Sequence, residues 1–157
     1  MNATRRTLAL LAVLFGSCAV TYAQRATEVV KWTATVSKSS AASASVVLSA
    51  TIQDGWHVYA LSQPAGGPTP LKITIPSGAP FALQAPVVEA KVTRREDPGF
   101  KMETAFYMNS VNLTLNVKKQ GTTAAETLPV DVRYQACNDR LCLPPYTAHL
   151  TADLKSK

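Results

Sequence analysis

Apolar residues recur at every second position in four separate stretches of this chain, and that period decides its fold class. Val46, Leu48, Ala50 and Ile52 form one series, and Leu71, Ile73 and Ile75 a second. Val111, Leu113, Leu115 and Val117 form a third, and Leu128, Val130, Val132 and Tyr134 a fourth. A β-strand sends successive side chains to opposite faces, so each series lines one face of a sheet and leaves the other to water. No segment of comparable length repeats every three to four residues, as an amphipathic helix would. Asp54-Gly55 is a tight-turn dipeptide, after which residues 56–59 resume the alternation. Residues 146–154 read as a last strand. The small, Ser-rich residues 41–45, the stiff Pro-containing residues 64–70 and the polar residues 94–101 read as loops. Seven or more short strands with Gly and Pro punctuation predict an all-β fold, an antiparallel β-sandwich.

The first residues follow a different rule. Arg5 and Arg6 precede an unbroken apolar stretch over residues 8–15, and small residues follow it up to Ala23. This is the layout of a secretory signal peptide, with an apolar core too short to span a bilayer. We therefore expect residues 1–23 to be a signal peptide and residues 24–157 the mature domain, exported to the periplasm or an equivalent compartment. Phe15-Gly16-Ser17-Cys18 also resembles a bacterial lipobox, which makes a lipid anchor at Cys18 the alternative fate. Cleavage after Ala23 removes two of the 16 basic residues and leaves 14 against 10 acidic ones, a net charge of +4 instead of +6. These charges are scattered and do not interleave with aromatics, so no nucleic-acid partner is expected.

Cleavage also takes away one of the three cysteines and leaves an even pair, Cys137 and Cys142. A disulfide brings its Cα atoms to about 5.5–6 Å, whereas five extended steps span roughly 17 Å. A bonded pair here requires the chain to double back, and Asn138-Asp139 are suitable turn residues. Pro144 and Pro145 keep the stretch out of a central strand, so the pair belongs at an edge or rim. Closing so short a loop stabilises by only about 2 kcal/mol, against nearly 5 for a loop of about 100 residues. A short-range pair on a rim suits thiol–disulfide exchange better than stapling. A passive staple and a metal site remain alternatives at this level, although His57 and His149 lie far apart in sequence.

The segment Tyr134-Gln135-Ala136-Cys137…Cys142-Leu143-Pro144-Pro145 resembles the N-terminal periplasmic domain of the thiol:disulfide interchange protein DsbD. Asp54-Gly55-Trp56-His57-Val58-Tyr59 extends the likeness upstream, as does Gly66-Gly67-Pro68-Thr69-Pro70, and together they cover residues 27–154. The resemblance implies an immunoglobulin-like sandwich whose Cys137–Cys142 pair cycles between dithiol and disulfide without a cofactor. It implies a thiol-disulfide oxidoreductase of the protein-disulfide reductase type, a monomer that carries electrons. Its partners would be thioredoxin-like periplasmic proteins or a membrane electron donor. Cys142 would form the mixed disulfide and Cys137 would resolve it. Phe100, in Asp97-Pro98-Gly99-Phe100, would be the aromatic cap over the disulfide. His57 and Tyr59, on one face of their strand, would line the site, with Trp56 in the core. Glu96 and Asp97 read as a solvated pair. Four residues separate the cysteines, one fewer than in the best-known member, and the sequence includes no membrane domain or CxxC domain to supply electrons. The rival reading is a non-catalytic immunoglobulin-like binding or scaffold domain with a local structural disulfide.

Overall fold

The computed structural model describes residues 24–89, 91–121 and 125–155; the expected signal peptide and Cys18 lie outside them. A single helical turn, α1 (Ala26–Val29), leads into β1 (Val30–Ser39) and β2 (Ser43–Ile52). There follow β3 (His57–Tyr59), β4 (Lys72–Thr74), β5 (Phe81–Val88), β6 (Thr93–Asp97) and β7 (Met102–Met108). The chain continues through β8 (Ser110–Lys119), β9 (Thr127–Tyr134), β10 (Ala136–Cys137) and β11 (Tyr146–Asp153). All pairings among these strands are antiparallel, in the orders β1-β2-β8-β5, β10-β3-β7-β6 and β11-β9-β4. The result is an immunoglobulin-like β-sandwich. Among the described residues no helix is long and apolar enough to cross a membrane.

The alternation in the sequence is the core. Val46, Leu48 and Ala50 of β2 lie opposite Leu115, Leu113 and Val111 of β8, and all six are buried. Leu128, Val130, Val132 and Tyr134 of β9 are at most 1% exposed and join the same cluster. Burying each Val or Leu side chain is worth about 1.5–3 kcal/mol relative to exposure, so these faces carry most of the stability.

Three expectations need correction. The Ser-rich residues 41–45 are only partly loop, because β2 begins at Ser43. Ala44 turns inward at 3% exposure, and the Ser45 hydroxyl donates to Asn116 Oδ1 at 2.6 Å, so small residues hide a regular alternation. The strand around Ile73 is confined to three residues between Pro70 and Pro76, which lack backbone donors. Residues 94–101 are not one loop. They hold most of β6 and a tight turn into β7, with Asp97 paired to Met102 and the Lys101 amide donating to the Asp97 carbonyl at 2.7 Å. Lys101 closes that turn in the left-handed region, at a φ of 54°.

The β7 strand had no alternating signal for a physical reason. Thr104, Ala105, Phe106 and Tyr107 are all buried. Ala105 and Tyr107 face the main core, whereas Phe106 belongs to a second, smaller cluster with Tyr59 and Cys137. The short β3 is buried on both faces in the same way, with Trp56 and Val58 in the main core. Within the sheet β10-β3-β7-β6, β3 and the middle of β7 are thus covered on both sides, while β6 is exposed, and the second cover is where the cysteines sit.

Candidate functional site

The cysteines form a disulfide at the corner of a miniature hairpin. Their Cα atoms are 4.0 Å apart and the two residues face each other as an antiparallel bridge. The Asn138 amide donates to the Leu141 carbonyl at 2.9 Å, and the Leu143 amide donates to the Ala136 carbonyl at 2.9 Å. Asn138 organises the four-residue turn through its side chain, whose Oδ1 accepts from the Arg140 and Leu141 amides, both at 2.9 Å. This is the local bonding for which Asn is favoured in turns. The hairpin lies at the edge of its sheet, since β10 pairs only with β3 there.

The two sulfurs have unlike surroundings. Cys137 is 0% exposed and packs with Tyr59 and Phe106. Cys142 is exposed and lines a cleft of about 540 Å³. Opposite walls of that cleft come from His57 and Tyr59 of β3, from Arg95 to Phe100 of the β6–β7 hairpin, and from the turn between the cysteines. Nothing local distinguishes the cysteines so sharply. The difference arises because β10 enters the sheet and pairs Cys137 with His57, while Cys142 follows the turn outward.

Phe100 stands over this cluster half-buried, packed on it and meeting the Tyr59 ring edge-on at 6.0 Å. Its loop is held by Asp97. Asp97 Oδ1 accepts from the Gly99 amide at 2.9 Å and from the Phe100 amide at 3.3 Å, and Oδ2 accepts from the Tyr59 hydroxyl at 2.8 Å. Burial alone would push the Asp97 carboxyl up, but these donated bonds and the nearby His57 outweigh it, and its pKa falls below the usual carboxylate value. Burial, then the bond to Asp97, drives the Tyr59 hydroxyl well above its ordinary value, so it stays a protonated donor. Asp97 is therefore a structural tie between β3 and the β6–β7 turn rather than half of a solvated pair, while Glu96 is exposed.

His57 is 6% exposed, wedged against Tyr59 at 5.1 Å and Phe106 at 4.9 Å between ring centroids. Burial first, and the Arg95 guanidinium second, hold its pKa below the ordinary 6.5. Arg95 lies over the Phe106 ring at 5.0 Å and reaches Asp139 at 3.2 Å, joining β6 to the turn between the cysteines. His149 lies elsewhere, on β11, hydrogen-bonded to Asp131 at 2.7 Å. Among the described residues, no three His, Cys, Asp or Glu side chains cluster as a metal site.

The structure thus brings Cys137, Cys142, His57, Tyr59 and Phe100 together around one cleft. Sequence reasoning missed Arg95 and Phe106 and misjudged Asp97. The Asp-Pro-Gly turn was the available signal for Asp97, since an Asp there accepts bonds from the amides two and three residues on. Arg95 and Phe106 carry no local signal, because their partners are 44 and 49 positions away, at Asp139 and His57.

Residues 25–154 match the family described as thiol:disulfide interchange protein DsbD, N-terminal. Among solved structures, the N-terminal periplasmic domain of ScsB from Proteus mirabilis is similar, with a TM-score of 0.55 and 20% identity over 80% of this chain and 45% of that one. The N-terminal domain of Neisseria meningitidis DsbD in its reduced form gives 0.53 and 14% identity over 83% of this chain and 89% of that one. The chain thus spans under half the length of the ScsB structure and most of the length of the DsbD one. No curated protein matches it.

Proposed function

The chain belongs to the family of DsbD N-terminal domains, and from that premise we propose that it carries electrons between thiol-disulfide partners through the Cys137–Cys142 pair. The observation that bears the reading is the asymmetry of the disulfide: a sealed sulfur at Cys137 and an exposed one at Cys142. A partner thiolate can reach only the exposed sulfur. Its attack on Cys142 forms the mixed disulfide and expels Cys137 as the leaving thiolate. A second thiolate of the partner then attacks its own half of the mixed disulfide, leaving this domain as the dithiol and the partner oxidised. To pass the electrons on, Cys142 attacks an acceptor's disulfide and Cys137 displaces the acceptor's thiolate. Phe100 regulates access, and Tyr59 and Asp97 hold its loop closed between encounters.

The partners we infer are thioredoxin-like periplasmic proteins on one side and a membrane electron donor on the other. The working form is a periplasmic monomer, freed of residues 1–23 or anchored at Cys18. An intact mass of the exported protein distinguishes the two termini.

Two measurements test the function. Titration against glutathione buffers should give a potential well above about −300 mV; a pair still oxidised below that is a structural staple. Cys137→Ser should accumulate mixed disulfides in periplasmic extract and Cys142→Ser should not. The reverse pattern would exchange the two roles.

A further inference from the structure

His57 has a feature that the carrier reading leaves unused. Its Nε2 is buried and has no hydrogen-bond partner among the described residues. An unpaired buried polar atom is costly, so such atoms call for a physical reason. His57 is also the direct cross-strand neighbour of Cys137 in the β10–β3 ladder. Facing residues in an antiparallel pair send their side chains to the same side, with Cβ atoms about 4.5–5.5 Å apart. Both side chains lie in the cover of aromatic rings formed by Tyr59 and Phe106.

In the disulfide form the Cys137 sulfur carries no proton, and the His57 nitrogen has nothing there to bond. Reduction changes that, because Cys137 then gains an S–H on the same face. Resting on the carrier reading above, we propose that His57 is the base that takes the Cys137 proton when this domain resolves a mixed disulfide. The step balances as follows. His57 Nε2 accepts the proton from the Cys137 thiol. The Cys137 electron pair attacks Cys142 Sγ, the Cys137–Cys142 bond forms, and the bond to the partner sulfur breaks. The partner departs as a thiolate, and the His57 imidazolium then loses its proton to the cleft, which the ring lines.

The charges around His57 suit this role. Arg95 on β6 opposes a lasting positive charge on the ring, and Asp97 on β6 and Asp139 in the cysteine turn moderate it. Tyr59 on β3 is a protonated neutral donor. The facing residues of β7, Met108 across from His57 and Phe106 beside it, carry no charge. A ring that rests neutral keeps its lone pair available as an acceptor. Cys137, sealed from water, has no solvent base of its own.

The test is the reaction of the reduced protein with 5,5′-dithiobis(2-nitrobenzoic acid). The first thiolate is released when Cys142 forms the mixed disulfide and the second when Cys137 resolves it. A free cysteine is only roughly 3% ionised at pH 7, and a sealed one no more than that, so a positioned base can accelerate resolution by about tenfold or more. His57→Gln should therefore slow the second release at least about tenfold at pH 7, slow the first far less, and lose that selective effect as the pH rises. Equal second phases in the two proteins, or both phases slowed alike at every pH, would overturn the proposal. The unaltered protein gives an independent reading should the variant not fold. Its second phase should stay nearly flat between about pH 6.5 and 8, whereas an unassisted thiol speeds up about tenfold per unit. If the unaltered protein releases the first thiolate but never the second, the carrier reading itself fails, and this inference falls with it.

Discussion

Two hydrophobic clusters share this domain and obey different rules. The main one, between β2, β8 and β9, is built mostly from aliphatic side chains that alternate with more exposed neighbours along these strands, with a few aromatic rings such as Trp56 and Tyr134 among them. The second consists of Tyr59, Phe106 and Cys137 under the half-buried Phe100, and its rim is polar: the Tyr59 hydroxyl, His57, Asp97 and Arg95. The first gains by being closed permanently. The second is small and tied by few polar bonds, which suits the opening that the proposed function requires. In the proposed function, stability and reactivity fall to opposite faces of the same strands, with β3 and β7 serving both.

That division can be broken by substitution. Leu113→Ala, at the fully buried centre of the main cluster opposite Leu48, should lower the unfolding free energy by about 2–5 kcal/mol. Chemical denaturation would measure it, and the redox potential should hardly move. Tyr59→Phe removes one bond to a carboxylate and should cost about 1.5 kcal/mol, while speeding reduction of the disulfide by small thiols because the Phe100 loop loses its tie. Phe100→Ala should cost less, about 1 kcal/mol for a ring only half-buried, yet should increase that reduction rate more than Tyr59→Phe does. An exchange rate that tracked stability loss across the three variants would abolish the distinction between the clusters.

The smallest expected effect is on pH dependence, and it sharpens the comparison. His57 titrates below 6.5 when folded, so between that lower value and 6.5 the unfolded chain binds more protons than the native one. This contribution is complete above 6.5 and is lost as pH falls through the window beneath it. Asp97, also depressed, contributes above its ordinary 3.8 and loses that contribution only further into acid. Melting temperatures from pH 7.5 to 4.5 should therefore decline, and His57→Phe should flatten the decline near its upper end. An unchanged slope in the variant would show that the second cluster does not control that window.

The legible parts of this molecule are those whose cause is local. The apolar series at 46–52, 111–117 and 128–134 predict their strands, because one face of each meets a core and the other meets water. Asp54-Gly55 gives its turn, with Gly55 at a φ of 78° that a side chain would strain. The close cysteines and the Asn138 turn give an edge hairpin, and the period of two places His57 and Tyr59 together with Trp56 and Val58 opposite. The β7 strand was illegible because burial on both faces erases alternation, and β6 because its exposed charges look like a loop.

By itself, the sequence determined the strand periodicity, the hairpin that holds the cysteines and the kind of chemistry two close thiols can perform. Each follows from residues within a few positions of one another. Only the tertiary structure decided which sulfur is sealed and which is open, that Asp97 ties the Phe100 loop to Tyr59, and that Arg95 joins β6 to Asp139. These depend on what a distant segment lays over a given face. A chain's local pattern records that a face is covered, but not by what.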